Sequence, residues 1–416
     1  MLARLRRAGL VALCSLPTVL PIAAVVAAPL VTAACGGGGG GTTNKTTPDK
    51  GPKVKAPKYE DVLAEARAAV AANNVDKAHA AFRKAEGMKV DVAIIEEHTR
   101  FLLARRQPDT AVEVAKGYYE AKPADARGQL NYGEALLAAG KYAEAGEVAT
   151  AVISLDEGSA AGYELRGRAA VMSGKVDVGV DDLRKAVDLA PDDANFLTSL
   201  GQGLRAAKQT DEAALKVRSA VEKDPTNARA LRLLGALSRE QFEVQDSVKW
   251  LLEAIKADAD DPEAWFELAL SQFQLGDKSE AESSAQHATQ LAPDNTKYWY
   301  VYGETLRNNN KPEQATEAYY KSLAIKPPHP KAAAKIALTL YDSQKFAEAE
   351  AFITDALKTD TKNPYLYYNL GWVYSAQKKY KFAVESFERY LSLAPAGDGD
   401  IPKAKAELKS LKRKAR

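Results

Sequence analysis

Small and large apolar residues recur along this chain in a fixed register of 34 residues, from Val92 to Pro395. Numbering each unit from 1, units begin at Val92, Ala126, Ala160, Ala194, Ala228, Pro262, Thr296, Pro330 and Pro364. A looser first unit begins at Tyr59, one residue short of register. Position 20 is Ala, Gly or Ser in all ten units, and position 8 is Gly or Ala in nine, with Thr99 the exception. Gly167 with Gly179 and Gly371 with Ala383 are such pairs. Larger residues at positions 4, 7, 11 and 24 surround the small ones, a spacing that predicts two amphipathic helices per unit. Small residues at positions 8 and 20 let the two backbones approach closely. Proline at position 32 (Pro123, Pro191, Pro225, Pro293, Pro327 and Pro395) is expected to stop the second helix. Glu157, Ala259 and Thr361 replace it in three units, where the spacing is kept. Asp261-Pro262 supplies a start signal, an N-cap candidate followed by proline in the first turn.

A period of this length predicts helical hairpins stacked in a solenoid, an architecture that usually binds partners. Tyr367-x-x-Leu370-Gly371-x-x-Tyr374, followed by Ala383, Phe387 and Pro395, resembles the W-x-x-L-G-x-x-Y…A…F…P pattern of the tetratricopeptide repeat (TPR) family. Trp265 and Trp299 supply the aromatic at position 4. The resemblance covers Tyr59 to Pro395 and is weakest in the second unit, at Thr99 and Tyr118. It implies an all-α superhelical solenoid of about ten 34-residue hairpins over residues 59–397, followed by a basic capping helix over 398–416. In the cap, Ile401, Ala404, Leu408, Leu411 and Ala415 recur at helical spacing. Its other face carries Lys403, Lys405, Lys409, Lys412, Arg413, Lys414 and Arg416 against Glu407 alone. That face reads as a solvated surface, with anionic headgroups or an acidic partner as the alternative.

The N-terminal stretch breaks the pattern. Arg4, Arg6 and Arg7 precede an uncharged apolar run from Ala8 to Ala34, which reads as a signal segment over 1–34. Val31-Thr32-Ala33-Ala34-Cys35 resembles the lipobox of bacterial lipoproteins, which implies lipidation of Cys35. Thr32 departs from the commoner leucine, and Cys14 follows the bulkier Leu13. An uncleaved membrane helix, an ordinary cleaved signal peptide or an organelle transit peptide is the alternative, though Pro17, Pro21 and Pro29 would each break a membrane helix. Residues 35–58, glycine-rich and then rich in Thr, Lys and Pro, read as a flexible tether.

Candidate chemistry is sparse. Cys14 and Cys35 are the only cysteines, so the repeats have no disulfide framework or cysteine-based metal site. With 57 basic and 55 acidic residues the net charge is +2, which gives no support to a nucleic-acid partner. His79, His98, His287 and His329 lie in different units, with no HExxH arrangement, and read as packing or surface residues. Gly201-Gln202-Gly203-x-x-Ala206 mimics a dinucleotide fingerprint but falls inside a first helix. Asp258, Asp260 and Asp261 lack the glycine turn and glutamate of a calcium loop and read as an inter-unit turn. No catalytic residue, metal site, cofactor or small-molecule substrate is expected.

The packing stripe of each first helix uses positions 4, 7, 8 and 11, which leaves positions 2, 5, 9 and 12 as a separate stripe. The TPR resemblance implies that this second stripe lines the concave groove. In units 7 to 10 it carries Phe266, Phe273, Tyr300, Tyr341, Tyr365, Tyr368 and Trp372, with Arg307 and Lys331 among them. Amphipathic aromatics of this kind are typical interface anchors; burial by tight superhelical curvature is the competing explanation. In units 5 and 6 the same stripe carries Arg205, Arg229, Arg232 and Arg239, suited to a carboxylate-bearing ligand or, equally, to local pairing. No unit has the family's Lys-5/Asn-9 pair that clamps a C-terminal carboxylate.

The sequence thus predicts a non-catalytic, lipid-anchored scaffold or adaptor of the bacterial cell envelope. It would dock a peptide or helix of a protein partner in its groove, for assembly of an envelope complex. In a host with two membranes, Gly36 after Cys35 favours the outer membrane facing the periplasm. Polysaccharide export or glycan binding is the alternative.

Overall fold

The computed structural model describes residues 57–415. The signal segment, Cys35 and the tether up to residue 56 lie outside the described residues. Among those described, the chain forms 21 α-helices and no strand. Twenty of them pair into ten hairpins, each with a first helix A and a second helix B, and Ile401–Lys414 forms the cap. The register is that read from the sequence. The A helices of repeats 2 to 8 begin at Val92, Ala126, Ala160, Ala194, Ala228, Pro262 and Thr296, and that of repeat 10 at Pro364.

Repeat 9 is the exception. Its A helix runs Ala332–Asp342, two residues later than the register predicts. Pro327, Pro328 and Pro330 precede it, and a residue before proline is driven out of the helical region.

Each A helix packs on its own B helix, each B helix on the next A, and successive A helices touch along the inner wall. The small residues at positions 8 and 20 make the A–B contact possible. A Cβ on Gly179 would lie 2.7 Å from the Gly167 carbonyl oxygen, so the two backbones meet with no room for a methyl group. The core is a string of local clusters. Leu200, Leu204, Leu234 and Leu237 fill the middle repeats, Ile353 with Leu366 the junction of repeats 9 and 10, and Phe387 with Leu411 the seat of the cap. Such a core scales with repeat number and lacks a single centre.

Proline at position 32 does not set the end of the B helices. Repeats 3, 6 and 9, which lack it, still end theirs at Leu155, Ala257 and Thr359, the same position as Leu189 and Leu291 in proline-bearing repeats. The next A helix fixes the boundary through its N-cap. Asp91, Asp125, Ser159, Asp193, Asn227, Asp261, Asn295 and Asn363 each accept a first-turn backbone N–H. The A–B turn has its own marker: position 15 is left-handed in all ten repeats, as Gly140, Gly174 and Gly276 but also as Asn73, Lys208 and Phe242.

Candidate partner-binding groove

The inner wall is built from the A helices, and their second stripe faces the groove. Tyr300, Tyr341, Tyr365, Tyr368 and Trp372 are brought together around one pocket of about 520 Å³. All five are half-buried, so curvature covers part of each ring and leaves a face open. Trp372 and Tyr368 stand edge-on to Phe387, with ring centroids at 5.4 and 6.0 Å, and Tyr368 also meets Tyr390 at 5.0 Å. These contacts hold the rings in place, as preorganised binding surfaces require. Burial pushes the phenols of Tyr300 and Tyr368 above the usual tyrosine value.

Residues outside the predicted stripe complete the pocket. Asp400 and Lys403 reach it from the cap, so the terminal helix closes one end of the groove as well as covering repeat 10. Lys335, at position 6, bonds Glu304 at 2.7 Å, and Glu304 also accepts from the Tyr319 hydroxyl. Asn369 donates to the Ala334 carbonyl at 2.6 Å, tying repeat 10 to repeat 9. Lys331 lies 4.7 Å from the centre of the Tyr365 ring, a cation–π distance. His329 stacks on Tyr300 with centroids 3.8 Å apart. Its imidazole is pulled down to about 4, first by burial and then by the charges of Lys331 and Lys297.

The other predicted groove residues are placed elsewhere. Phe266 packs against Tyr298 at 4.9 Å, within the contact of repeats 7 and 8. Phe273 is exposed and Arg307 lies 3.6 Å from Asp342, both outside the aromatic pocket. The arginines are mostly answered locally. Arg205 meets Glu240 at 2.6 Å and Glu267 at 3.7 Å; Arg239 meets Glu267 at 2.7 Å; Arg232 meets Asp261 at 2.8 Å.

Arg229 differs. Its one side-chain partner among the described residues is the neutral Gln202 carbonyl, at 2.7 Å. Loss of solvation, then repulsion by Arg168, draws its guanidinium down to about 10. Arg229, Arg232 and Arg168 line a second pocket of about 280 Å³ with Ser199 and Gln202. Arg168 holds Glu134 at 2.6 Å and Glu164 at 3.4 Å. It sits at position 9 of repeat 4, on the stripe, and was legible by the same rule that picked Arg229.

The histidines are not all isolated. His79 of repeat 1 and His98 of repeat 2 meet through Nδ1 and Nε2 at 2.9 Å, and His98 Nδ1 lies 2.5 Å from Glu86. This corrects the reading of separate packing residues, because hairpin stacking joins the second helix of one repeat to the first helix of the next. The other two stack on aromatics, His287 on Trp265 and His329 on Tyr300. No group of three or more potential metal ligands occurs among the described residues.

Comparison with known proteins agrees with the geometry. A tetratricopeptide repeat model matches residues 100–160, 164–228 and 199–262. A model of the auxiliary subunit of N-terminal acetyltransferase A matches residues 235–414. The chain is 28% identical to tetratricopeptide repeat protein 7B of Homo sapiens over 129 residues, 31% of this chain and 15% of that protein. It is 27% identical to protein NPGR2 of Arabidopsis thaliana over 135 residues, 31% of this chain and 18% of that protein. The match therefore spans less than a fifth of either relative. Among solved structures, the Cut9–Hcn1 assembly of the APC/C superposes with a TM-score of 0.55 at 14% identity, covering 85% of this chain and 76% of that one. Human IFIT1, solved with m7Gppp-AAAA, gives 0.51 at 14% identity, covering 81% and 90%. Repeat register, hairpin geometry and these likenesses converge: the chain folds as a tetratricopeptide-repeat superhelix.

Proposed function

We propose that the protein is a non-catalytic scaffold that docks a segment of a protein partner in its concave groove, with the aromatic pocket of repeats 8 to 10 as the anchor. The observation that carries this is the convergence of five half-buried aromatics on one open pocket. These rings stand on the second stripe of the A helices, where they pack in part on the repeat cores and in part line the open pocket. An extended chain or a helix could lay alternate side chains into such a groove. In the same reading Cys35 carries a lipid, and the scaffold serves assembly of a complex in a bacterial envelope, at the outer membrane facing the periplasm. The residues that support this part are Arg4, Arg6, Arg7 and the run to Ala34-Cys35.

Trp372→Ala with Tyr368→Ala should weaken capture of the native partner while helical circular dichroism is retained. Because both rings also touch Phe387, Lys403→Glu on the exposed cap surface serves as a second variant at the same pocket. Capture unchanged by either variant would remove the groove from the mechanism. Glycan binding by the array in place of protein capture would favour the polysaccharide alternative. Cys35→Ala should abolish acyl labelling, and labelling that persists would exclude the anchor.

A further inference from the structure

Charge along the groove is one-sided where it is open to a ligand. The aromatic pocket is lined by Lys331, Lys335 and Lys403 against Asp400 alone, and the second pocket by Arg168, Arg229 and Arg232 with no acidic residue in its lining. The whole chain is nearly neutral, so this bias belongs to the two pocket linings; Glu134, Glu164 and Glu267 stand beside them, each paired with an arginine. Among these cations, Lys335, Arg168 and Arg232 already hold carboxylates. Lys331, Lys403 and Arg229 hold none among the described residues. Lys331 and Lys403 are exposed, so water satisfies them. Arg229 is half-buried against the wall, and its one side-chain partner among the described residues is a neutral amide.

A half-buried guanidinium with one neutral partner keeps several N–H donors open to an incoming acceptor. A carboxylate fills that role better than water, through two parallel charge-assisted bonds in a partly desolvated site. Gln202 favours the same ligand. With its carbonyl oxygen accepting from Arg229, its amide NH₂ is left to donate. The floor of the pocket is apolar, with Val171, Met172 and Leu183, and Met172 is half-exposed. That combination fits an acidic side chain flanked by an aliphatic one.

A continuous polyanion is a poorer match. Its backbone would pass Glu134 and Glu164 beside Arg168 and Glu267 beside Arg205, where like charges meet. A peptide can place its carboxylates selectively, one at Arg229 and others near Lys331 and Lys403, with apolar side chains between. Resting on the docking reading above, we infer that the groove's occupant is an acidic protein segment and that Arg229 receives one of its carboxylates.

The test uses a fluorescein-labelled peptide of repeated Glu-Phe-Glu units, its Gln-for-Glu counterpart and a uridine oligonucleotide, each titrated into the full-length protein in detergent. The acidic peptide should bind about tenfold tighter than the glutamine one, with the advantage shrinking in salt. Arg229→Gln should remove most of that advantage, and Arg229→Lys should restore only part of it. Lys331→Glu with Lys403→Glu, at exposed sites, should weaken the acidic peptide about fivefold or more and keeps the inference testable if the Arg229 variants misfold. Equal binding of the two peptides would overturn the acidic inference and leave the docking reading standing. Binding of neither peptide would also overturn the inference, the docking reading then being judged by partner capture in the aromatic-pocket variants. Oligonucleotide binding tighter than either peptide would overturn both.

Discussion

Arg106 Nη1 lies 2.6 Å from Asp294 Oδ1, joining the A–B turn of repeat 2 to the loop between repeats 7 and 8. The superhelix therefore comes round on itself within the array, and Arg105 and Arg106 look across a gap at Asp258, Asp260 and Asp261. The aspartates read in the sequence as an inter-unit turn are the acidic side of this closure. Both members of the ion pair are largely exposed, at 48% and 71%, so the bond contributes only about 0.2–1 kcal/mol. Asp294→Arg should enlarge the radius of gyration seen by small-angle scattering, and adding Arg106→Asp should reverse the change. A radius insensitive to either variant would show that repeat packing alone sets the pitch.

The close approach of Gly167 and Gly179 gives a stability prediction. Gly179→Ala puts a methyl group against backbone atoms of both Gly167 and Val171 and should cost about 1–3 kcal/mol in urea unfolding. Gly117→Ala is the control. That glycine lies inside the helix Pro108–Ala121, a Cβ there meets nothing within 4 Å, and the substitution should stabilise by about 0.5–1 kcal/mol.

Phe242 is 81% exposed and holds a left-handed backbone, with φ at 64°. Such a conformation costs a non-glycine residue roughly 1–2 kcal/mol, and little buried surface offsets it here. Phe242→Gly should raise the unfolding midpoint, a net gain of about 1 kcal/mol after the added freedom of the unfolded chain. A fall in midpoint would reveal a contact that the exposed ring makes.

His329 supplies the pH dependence. Its folded-state pKa of about 4 lies below the unfolded value near 6.5, so the folded protein takes up its proton later. Its contribution to stability is complete above the unfolded value and is lost as pH falls from about 6.5 to about 4. An NMR titration should place its midpoint near 4, and His329→Gln should flatten the stability profile across that window. A midpoint near 6.5 would mean the ring is not held against Tyr300.

How much of this was legible in the sequence depends on how locally each feature is encoded. The register was, because the small residues at positions 8 and 20 recur without a slip and permit only one hairpin geometry. The N-cap row from Asp91 to Asn363 was equally periodic, but only Asp261 drew notice, where a proline follows directly. Tyr300, Tyr341, Tyr365, Tyr368 and Trp372 were found by the stripe rule and do converge. Phe266 fits the same rule yet packs on Tyr298, since the local curvature of repeats 7 and 8 decides which rings stay open. Lys403 was legible as part of the basic face of the cap, but its place at the pocket, with Asp400, was not, because the cap lies outside the repeat and periodicity cannot say where it lands. The Glu86–His98–His79 chain was invisible for the same reason: it exists only once repeats 1 and 2 stack.

Repeats 1 to 4 share one continuous apolar cluster, which runs from Ala66 to Ala169, whereas cohesion further along is divided among smaller ones. An array with a core divided in this way loosens piecewise, the N-terminal block as one cooperative unit and the later repeats as smaller ones.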